Sequence, residues 1–126
     1  MKYFFEPIVL SDWYMFNEVC SFCQEVSFYA TEEMQIGDML FFYIAKKNSK
    51  IPAGIYGNGI IISNPNKDNV ETRLRVNVRI KYIRFDEPII NYDICKKYIR
   101  QFRDVHKIED SIIIELMKTP LINIIK

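Results

Sequence analysis

The stretch GDMLFFYIAKKNSKIPAGIYGNGIIISNP, residues 37–65, decides the fold of this chain. Two apolar runs within it, residues 39–45 and 60–63, are rich in aromatic and β-branched residues and are bounded by turn residues, which is the pattern of two strands. Neither run alternates between apolar and polar residues, so both faces of each strand are expected to be buried. We therefore predict that the two strands form the central pair of a sheet.

Three glycines, Gly54, Gly57 and Gly59, lie in the second strand and its approach. A glycine inside a strand weakens it, so its presence indicates a place where a ligand or another backbone approaches closely. Two explanations stay open. Gly57 and Gly59 either leave room for a flat ligand or relieve crowding in a bent strand.

The 126 residues are most economically one domain, residues 1–126, either a whole protein or one domain of a longer one. The net charge of +1 conceals an asymmetry, because residues 1–45 hold one lysine against seven acids and the remainder holds sixteen Lys/Arg against nine. A basic half favours an anionic polymer as partner, although a dipolar soluble protein has the same composition.

No apolar run reaches the length of a membrane helix, and Glu6 and Pro7 interrupt the N-terminal run. We expect no membrane association and a cytoplasmic location.

The flanking segments predict strands interrupted by short helices. Residues 1–10 form a first strand, and residues 11–26 carry apolar stripes at helical spacing, which predicts a buried helix. Residues 27–30 fit a strand or an extended link. Residues 73–81 alternate strictly between polar and apolar side chains, which predicts a long strand with one solvated, cationic face. The alternation slips near Tyr82, which predicts either a bulge or the end of the strand there.

The last part of the chain completes the fold class. Asn91 or Asp93 caps a helix whose inner face includes Ile94, Phe102 and Val105. Residues 111–116 are ambiguous between a short helix and a strand, and three consecutive isoleucines favour the strand. We predict an α+β fold built on a curved antiparallel or mixed sheet, closed into a small barrel with flanking short helices.

Catalytic and metal chemistry finds little support in the sequence. Cys20, Cys23, Cys95 and His106 have the right number of ligands for zinc, but buried core cysteines are the commoner explanation. His106 is the one histidine, and no Ser or Cys lies in the strand-turn-helix context of an activated nucleophile. We expect a protein without enzymatic activity, cofactor or metal.

A binding function remains, in which aromatic surfaces hold a base and cations contact its phosphates. The residues expected to form the base pocket are Trp13, Phe28, Tyr29, Tyr43, Ile44, Tyr56, Gly57 and Asn58. The residues expected to contact phosphates are Lys46, Lys50, Arg73, Arg75, Arg79 and Lys81. Each set has a simpler explanation, because aromatic residues are often core and a cationic strand face is often merely solvated.

The opening stretch resembles the EVE domains of the PUA-like superfamily. In that group a GD-hydrophobic-FY strand, here residues 37–43, precedes a GIxGxG strand, here residues 54–59, and a proline, here Pro65. The resemblance continues to the acidic-proline turn at Glu87 and Pro88. It implies a small curved β-barrel with flanking short helices and no catalytic activity of its own.

The resemblance, which covers residues 11–103, also implies a function. Relatives of this kind accept a modified base, such as methylated or hydroxymethylated cytosine or methylated adenine, in an aromatic pocket by base flipping. They accompany nucleases or AAA+ motors in modification-dependent restriction systems. We therefore expect a reader of modified nucleic acid, DNA rather than RNA, with such a nuclease or motor as partner or fused domain.

Two alternatives stay open. ASCH-type relatives use the same barrel for RNA-processing or small-molecule chemistry, which needs a lysine or an acid inside the pocket, and Lys46 and Lys50 are the nearest cations in the sequence. A protein-interaction module is favoured instead if the Trp13 helix and the glycine strand are fully packed without a pocket.

Overall fold

The computed structural model describes residues 1–10, 15–17, 19, 23–45, 51–67, 73–85, 87–116 and 118. Within these residues the chain forms an eight-stranded sheet and short helices. The strands are β1 (Tyr3–Ile8), β2 (Glu25–Tyr29), β3 (Met39–Ile44), β4 (Gly54–Ile61), β5 (Asn66–Lys67), β6 (Leu74–Ile83), β7 (Ile90–Asn91) and β8 (His106–Ile108). The helices are a 3-10 helix (Met15–Asn17), α1 (Tyr92–Tyr98) and α2 (Asp110–Leu116).

Strands β3 and β4 form the centre of a mixed sheet, which confirms the prediction from residues 37–65. The strand order is β2-β6-β4-β3-β1-β8, with β5 paired to β6 and β7 paired to β4. Strands β1 and β3 run parallel, and the other described pairs are antiparallel. All of β3 is buried, and β4 leaves Ile60 alone partly exposed. Both faces of the central pair are therefore covered, as predicted.

The sheet curves strongly and packs a separate core on each side. Phe28 of β2 stacks on Phe42 of β3 with ring centroids 4.8 Å apart, although β6 and β4 lie between these strands. We call the concave side the inner core and the side covered by α1 and α2 the outer core. The inner core includes Phe4, Ile8, Phe28, Phe42, Ile44, Tyr56, Val76 and Val78. The outer core includes Phe5, Phe41, Tyr43, Ile55, Cys95, Ile99, Ile113 and Leu116.

The predicted α+β class with a curved mixed sheet is confirmed, but the predicted closure into a barrel is wrong, because the sheet is open. In the described part of the chain its path ends at β2 on one side and β8 on the other, with no pairing between the two. Strand β8 pairs with β1 up to Phe5, so the second half of β1 extends past this partner. The curvature nevertheless brings that half of β1 towards β2, which positions the cleft described below.

The pairing of β4 with β6 explains two of the glycines. A Cβ atom on Gly57 would lie 2.3 Å from the carbonyl oxygen of Tyr82, and one on Gly59 would lie 2.4 Å from Cγ1 of Val78. Both distances are far below van der Waals contact, so crowding between the strands requires glycine here. The register shifts between Asn58 and Gly59, opposite Tyr82, which confirms the predicted bulge.

The helix predicted over residues 11–26 is only partly present among the described residues. Met15–Asn17 is a 3-10 helix and the Val19 N–H donates to the carbonyl oxygen of Met15 at 2.8 Å, but the chain from Cys23 onwards is not helical. The Cys23 backbone turns with a φ of 64°, and its N–H donates to the carbonyl oxygen of Ile80 at 2.8 Å. The N–H of Ile80 in turn donates to the carbonyl oxygen of Gln24 at 2.8 Å, so pairing with β6 takes up this segment before β2 begins. Residues 11–14, 18 and 20–22 lie outside the described residues.

The predictions for the last segments are partly corrected. Asn91 caps α1, as expected, by accepting a hydrogen bond from the Ile94 N–H at 3.0 Å. However, α1 ends at Tyr98, because the chain turns back to place β8 beside β1. The predicted strand at 111–116 is helix α2, which buries Ile113 and leaves Ile114 exposed. No helix in the described part of the chain has the length and apolar character that crossing a bilayer requires.

Candidate nucleic-acid interface

Four of the aromatic and aliphatic residues predicted for the base pocket lie in the two cores. Phe28, Ile44 and Tyr56 belong to the inner core. Tyr43 belongs to the outer core, where its ring centroid lies 5.0 Å from that of Phe5. The sheet therefore separates Tyr43 from the other three.

Asn58 and Gly57 lie at the buried centre of the sheet. The Asn58 side chain is 0% exposed and donates from Nδ2 to the Met39 sulfur at 3.3 Å, while its Oδ1 has no partner among the described residues. Gly57 faces the backbone of β6, as described above. The predicted residues Trp13, Lys46 and Lys50 lie outside the described residues.

Two predicted residues, Tyr29 and Arg73, share a cleft that we call the seam cleft. It lies where the second half of β1 faces the end of β2, the start of β6 and the loop before β8. Its volume is about 170 Å³, smaller than the roughly 300–1,000 Å³ of pockets for drug-sized ligands and on the scale of one planar ring system. The seam cleft is lined by Glu6, Pro7, Ile8, Val9, Tyr29, Arg73, Arg103, Asp104 and Val105.

Glu6 is the buried polar residue of the seam cleft. It lies between Phe4 and Ile8 in β1 and shares their side of the sheet, so it is only 5% exposed. Its Oε2 atom has no hydrogen-bond partner among the described residues. Burial raises the pKa of the Glu6 carboxyl to about 8, against the opposing effect of Arg73 and Arg75. The side chain is therefore mainly a neutral acid at pH 7, with one O–H donor as well as acceptor oxygens.

Two guanidinium groups lie over the ring of Tyr29 at the mouth of the cleft. The guanidinium carbons of Arg73 and Arg75 lie 3.9 Å and 4.7 Å from the centroid of its ring. Arg75 also donates from Nε to Oγ of Ser27 at 2.8 Å. The electron-rich ring face attracts both cations. Tyr29 therefore holds two arginines in place.

The loop before β8 supplies the opposite wall. The Gln101 side-chain oxygen accepts hydrogen bonds from the backbone N–H groups of Arg103 and Asp104, at 2.7 Å and 3.0 Å. Phe102 packs on the outer core and Val105 on the inner core. This anchoring holds the backbone that carries Arg103 at the cleft.

A polar groove continues from Arg75 over the exposed face of β6. Its volume is about 540 Å³, and the Oγ of Ser63 inside it accepts a hydrogen bond from the Asn77 N–H at 2.8 Å. Arg79 and Lys81 lie further along the same solvated face, which the sequence predicted. The groove is lined by Ser27, Ser63, Asn64, Asn66, Lys67, Arg75 and Asn77.

The sequence as a whole matches a known domain family. The profile of the EVE domain matches residues 17–118, most of the chain. The chain belongs to the EVE domain family. No protein of curated function matches this EVE domain in sequence.

Solved structures share the fold of this EVE domain at low sequence identity. The NMR structure of Rpa0253 from Rhodopseudomonas palustris is 14% identical, with a TM-score of 0.65 over 100% of this chain and 96% of that chain. Protein PSPTO5229 from Pseudomonas syringae is 12% identical, with a TM-score of 0.65 over 92% and 97%. The human THYN1 protein, solved in complex with 5-methylcytosine containing DNA, is 14% identical, with a TM-score of 0.63 over 94% and 96%.

Sequence reasoning missed Glu6, Arg103 and the other loop residues of the seam cleft. One signal was available for Glu6, because it interrupts the apolar run at residues 3–10 at the position that shares a face with Phe4 and Ile8. An acid on the buried face of a strand is rare unless it is paired or functional. Arg103 gave no such signal. The sequence predicted that the helix begun at Asn91 or Asp93 continues past this residue, whereas α1 ends at Tyr98.

The zinc alternative gains no support from the described residues of this EVE domain. Cys95 is buried in the outer core and Cys23 is exposed, and Cys20 lies outside the described residues. No group of three or more His, Cys, Asp or Glu side chains converges in the part that the structure describes. Burial raises the pKa of the Cys95 thiol to about 12, as expected of a core cysteine.

Proposed function

We propose that this EVE domain recognises a single modified base in DNA, holding the base in the seam cleft and the flanking phosphates on the cationic face of β6. The observation that carries the proposal is Glu6, a buried carboxyl whose Oε2 has no hydrogen-bond partner among the described residues, in a cleft the size of one ring system. A structural neighbour, human THYN1, was solved with DNA that contains 5-methylcytosine, which supports the same class of ligand here.

The dimensions of the cleft support base flipping as the mode of entry. A cleft of about 170 Å³ has no room for a base pair, so a base reaches Glu6 by leaving the duplex stack. Extrusion brings its flanking phosphates to the mouth, where Arg73 and Arg103 lie. Arg75, Arg79 and Lys81 then extend the cationic path along β6, and Lys46 and Lys50 complete the proposed phosphate-binding set.

The proposed base site includes fewer aromatic residues than the set that the sequence indicated. Tyr29 borders the seam cleft directly, and Trp13 stays a candidate for the stacking surface. Phe28 and Ile44 contribute as packing beneath the cleft, on the inner core. The other four predicted residues do not border the cleft and instead hold the central strands in place: Tyr43, Tyr56, Gly57 and Asn58.

The biological setting is proposed from the family resemblance. We infer a reader module of a modification-dependent restriction system in the cytoplasm, paired with or fused to a nuclease or an AAA+ motor. The single domain of residues 1–126 would deliver that partner to modified DNA. Deleting the gene should then raise infection by phage with hydroxymethylated cytosine and leave unmodified phage unaffected.

A titration tests the reader function. Duplexes that differ at one central base (cytosine, 5-methylcytosine, 5-hydroxymethylcytosine, adenine or N6-methyladenine) are compared at one fixed salt concentration. We expect one modified duplex to bind at least about fourfold tighter than its unmodified partner, because burying one methyl group contributes about 0.8 kcal/mol. Equal binding of all duplexes, or none, would rule the proposal out.

One observation favours a second candidate, an enzyme on the same barrel. That alternative needs an acid inside the pocket, and Glu6 is such an acid, with a pKa of about 8 that suits proton transfer near neutral pH. Glu6→Gln separates the two functions, because an amide keeps a donor and an acceptor but transfers no proton. A reader keeps binding in this variant, whereas an enzyme binds its ligand and loses turnover.

A further inference from the structure

We propose that Glu6 reads the edge of the bound base directly, donating from one carboxyl oxygen to a ring nitrogen and accepting with the other from the adjacent exocyclic amino group. This inference rests on the proposed function and adds to it the residue, the two atoms and the class of base edge. The edge that fits is the Watson–Crick edge of a cytosine or an adenine, where an amino donor lies beside an acceptor nitrogen.

The position of Glu6 argues against a purely structural role. A buried carboxyl oxygen without a hydrogen-bond partner costs free energy, and Oε2 of Glu6 has none among the described residues. An apolar side chain between Phe4 and Ile8 would pack into the inner core instead. Residues that break the local packing rule tend to mark functional sites. The simplest rival explanation is that solvent in the cleft satisfies the carboxyl, and the experiment below separates the two.

The protonation state of Glu6 determines which edge it can pair with. A neutral acid presents an O–H donor next to an acceptor, which complements the acceptor nitrogen and amino group of a cytosine edge. An ionised carboxylate presents acceptors alone, and one of them would face the acceptor nitrogen of the base. The high pKa of Glu6 therefore keeps the side chain in the form that pairs.

The other groups around the cleft fit this assignment. Arg73 lines it from the position before β6, Arg103 and Asp104 line it from the loop before β8, and Tyr29 lines it from β2. Arg75 of β6 lies over the Tyr29 ring. Arg73 and Arg75 favour the ionised carboxylate, but burial of Glu6 outweighs their attraction. The cations at the mouth thus stay available for phosphates. The apolar side chains of Ile8, Val9 and Val105 give a methyl group on the base a dry surface.

The test uses the whole chain and short duplexes with one central cytosine or 5-methylcytosine, titrated at fixed salt. The pH runs from about 6 to about 9.5, which brackets the pKa of Glu6. Three variants are compared with wild type. Glu6→Gln keeps one donor and one acceptor at every pH, and Glu6→Leu removes both. Asp93→Asn, at an exposed acid of α1 on the outer-core side of the sheet, is the acid-to-amide control.

We expect wild-type affinity for the methylated duplex to fall as the pH rises through about 8, and Glu6→Gln to bind within a few-fold of wild type without that fall. Glu6→Leu should bind the methylated duplex roughly tenfold to hundredfold more weakly, the range for losing a pair of buried hydrogen bonds. Asp93→Asn should keep the wild-type affinity and pH profile. Glu6→Leu should remain folded, because it removes a buried acid, and a thermal melt checks this.

The outcomes distinguish the inference from the function on which it rests. Selective binding by wild type that Glu6→Leu retains would overturn the inference alone and leave solvent as the partner of Glu6. Equal losses in Glu6→Gln and Glu6→Leu would overturn it as well, since the amide preserves the hydrogen-bonding pattern. The proposed function itself would be overturned if wild type bound the methylated and unmethylated cytosine duplexes with equal affinity and also bound the other modified duplexes no more tightly than their unmodified partners.

Discussion

The guanidinium carbon of Arg73 lies 3.9 Å from the centroid of the Tyr29 ring, and the two side chains together border the seam cleft. One residue comes from the end of β2 and the other immediately precedes β6, so their contact depends on the pairing of these strands. Arg75 lies over the same ring at 4.7 Å. Tyr29 therefore contacts two arginine side chains, and removing its ring should weaken the positioning of both.

Replacing Tyr29 by leucine should weaken binding to modified and unmodified duplexes alike. Each exposed cation–π contact contributes about 0.5–1 kcal/mol, so we expect a loss of about two- to fivefold per arginine. Tyr29→Phe keeps the ring and should bind nearly as wild type. Fluorescence anisotropy with labelled duplexes measures both. If Tyr29→Phe lost as much affinity as Tyr29→Leu, the hydroxyl rather than the ring would be the important group.

The arginines of β6 should govern the salt dependence of binding. For Arg73→Gln and Arg75→Gln, the slope of log affinity against log salt should fall by about one unit each, because each phosphate contact releases about one counterion. Lys97→Gln on the exposed side of α1 is the matched control and should leave the slope unchanged. Unchanged slopes in both arginine variants would place the phosphates elsewhere.

Glu6 should make the protein less stable as the pH rises. Its pKa is about 8 in the folded state, against 4.5 ordinarily, so the folded protein keeps a proton that the unfolded chain releases between these values. The free energy of unfolding should therefore fall between about pH 4.5 and about pH 8, by an amount on the order of a few kcal/mol, and level off above that. Chemical denaturation across this range measures it.

Two variants check the origin of that slope. Glu6→Gln should flatten this part of the profile and raise the stability above pH 8, because no buried acid remains to be ionised. Asp104→Asn, an exposed acid changed in the same way, should leave it in place. If the free energy of unfolding of wild type did not change between these pH values, Glu6 would be ionised in the folded protein, with the cost of burying its charge offset by its neighbours.

Gly57→Ala should destabilise the fold. The added Cβ would lie 2.3 Å from the carbonyl oxygen of Tyr82, which is backbone and cannot move aside cheaply. Overpacking of this kind typically costs about 1–3 kcal/mol or more. Ile36→Ala, at an exposed site, should cost little. A Gly57→Ala protein of wild-type stability that lost binding would instead favour a ligand beside this glycine.

The sequence predicted the centre of the fold better than its periphery. Residues 39–44 are buried on both faces, and the composition of the runs 39–45 and 60–63 alone indicates a central pair. The strict alternation that begins at Arg73 likewise predicted β6, its solvated face and the bulge near Tyr82. These are local patterns, and the tertiary structure reinforces them.

The errors arose where pairing or distant packing overrode a local pattern. The segment before Phe28 has helical spacing, yet Gln24 pairs with Ile80 of β6 and the chain becomes strand. The run Ile112–Ile114 favours a strand by composition, but as a helix it buries Ile113 against the outer core. Neither partner is visible from the segment itself.

The candidate site was the hardest part to predict, because the seam cleft joins β1, β2, β6 and the loop before β8. These segments are distant in sequence, and they meet because the sheet curves. Tyr29 and Arg73 were recognised from their residue types, whereas Glu6 was considered only as a charge in the N-terminal run. The aromatic residues that suggested a pocket, such as Phe28 and Tyr43, turned out to pack the cores.

The most direct test of the central claim is a map of backbone amide shifts on adding a duplex with one 5-methylcytosine to isotope-labelled protein. If the base enters the seam cleft, the largest shifts should fall on Glu6, Ile8, Val9, Tyr29 and residues 103–105, and the unmodified duplex should perturb mainly β6. Shifts concentrated on α1, α2 or the outer core, with Glu6, Ile8 and Val9 unaffected by the methylated duplex, would contradict the account.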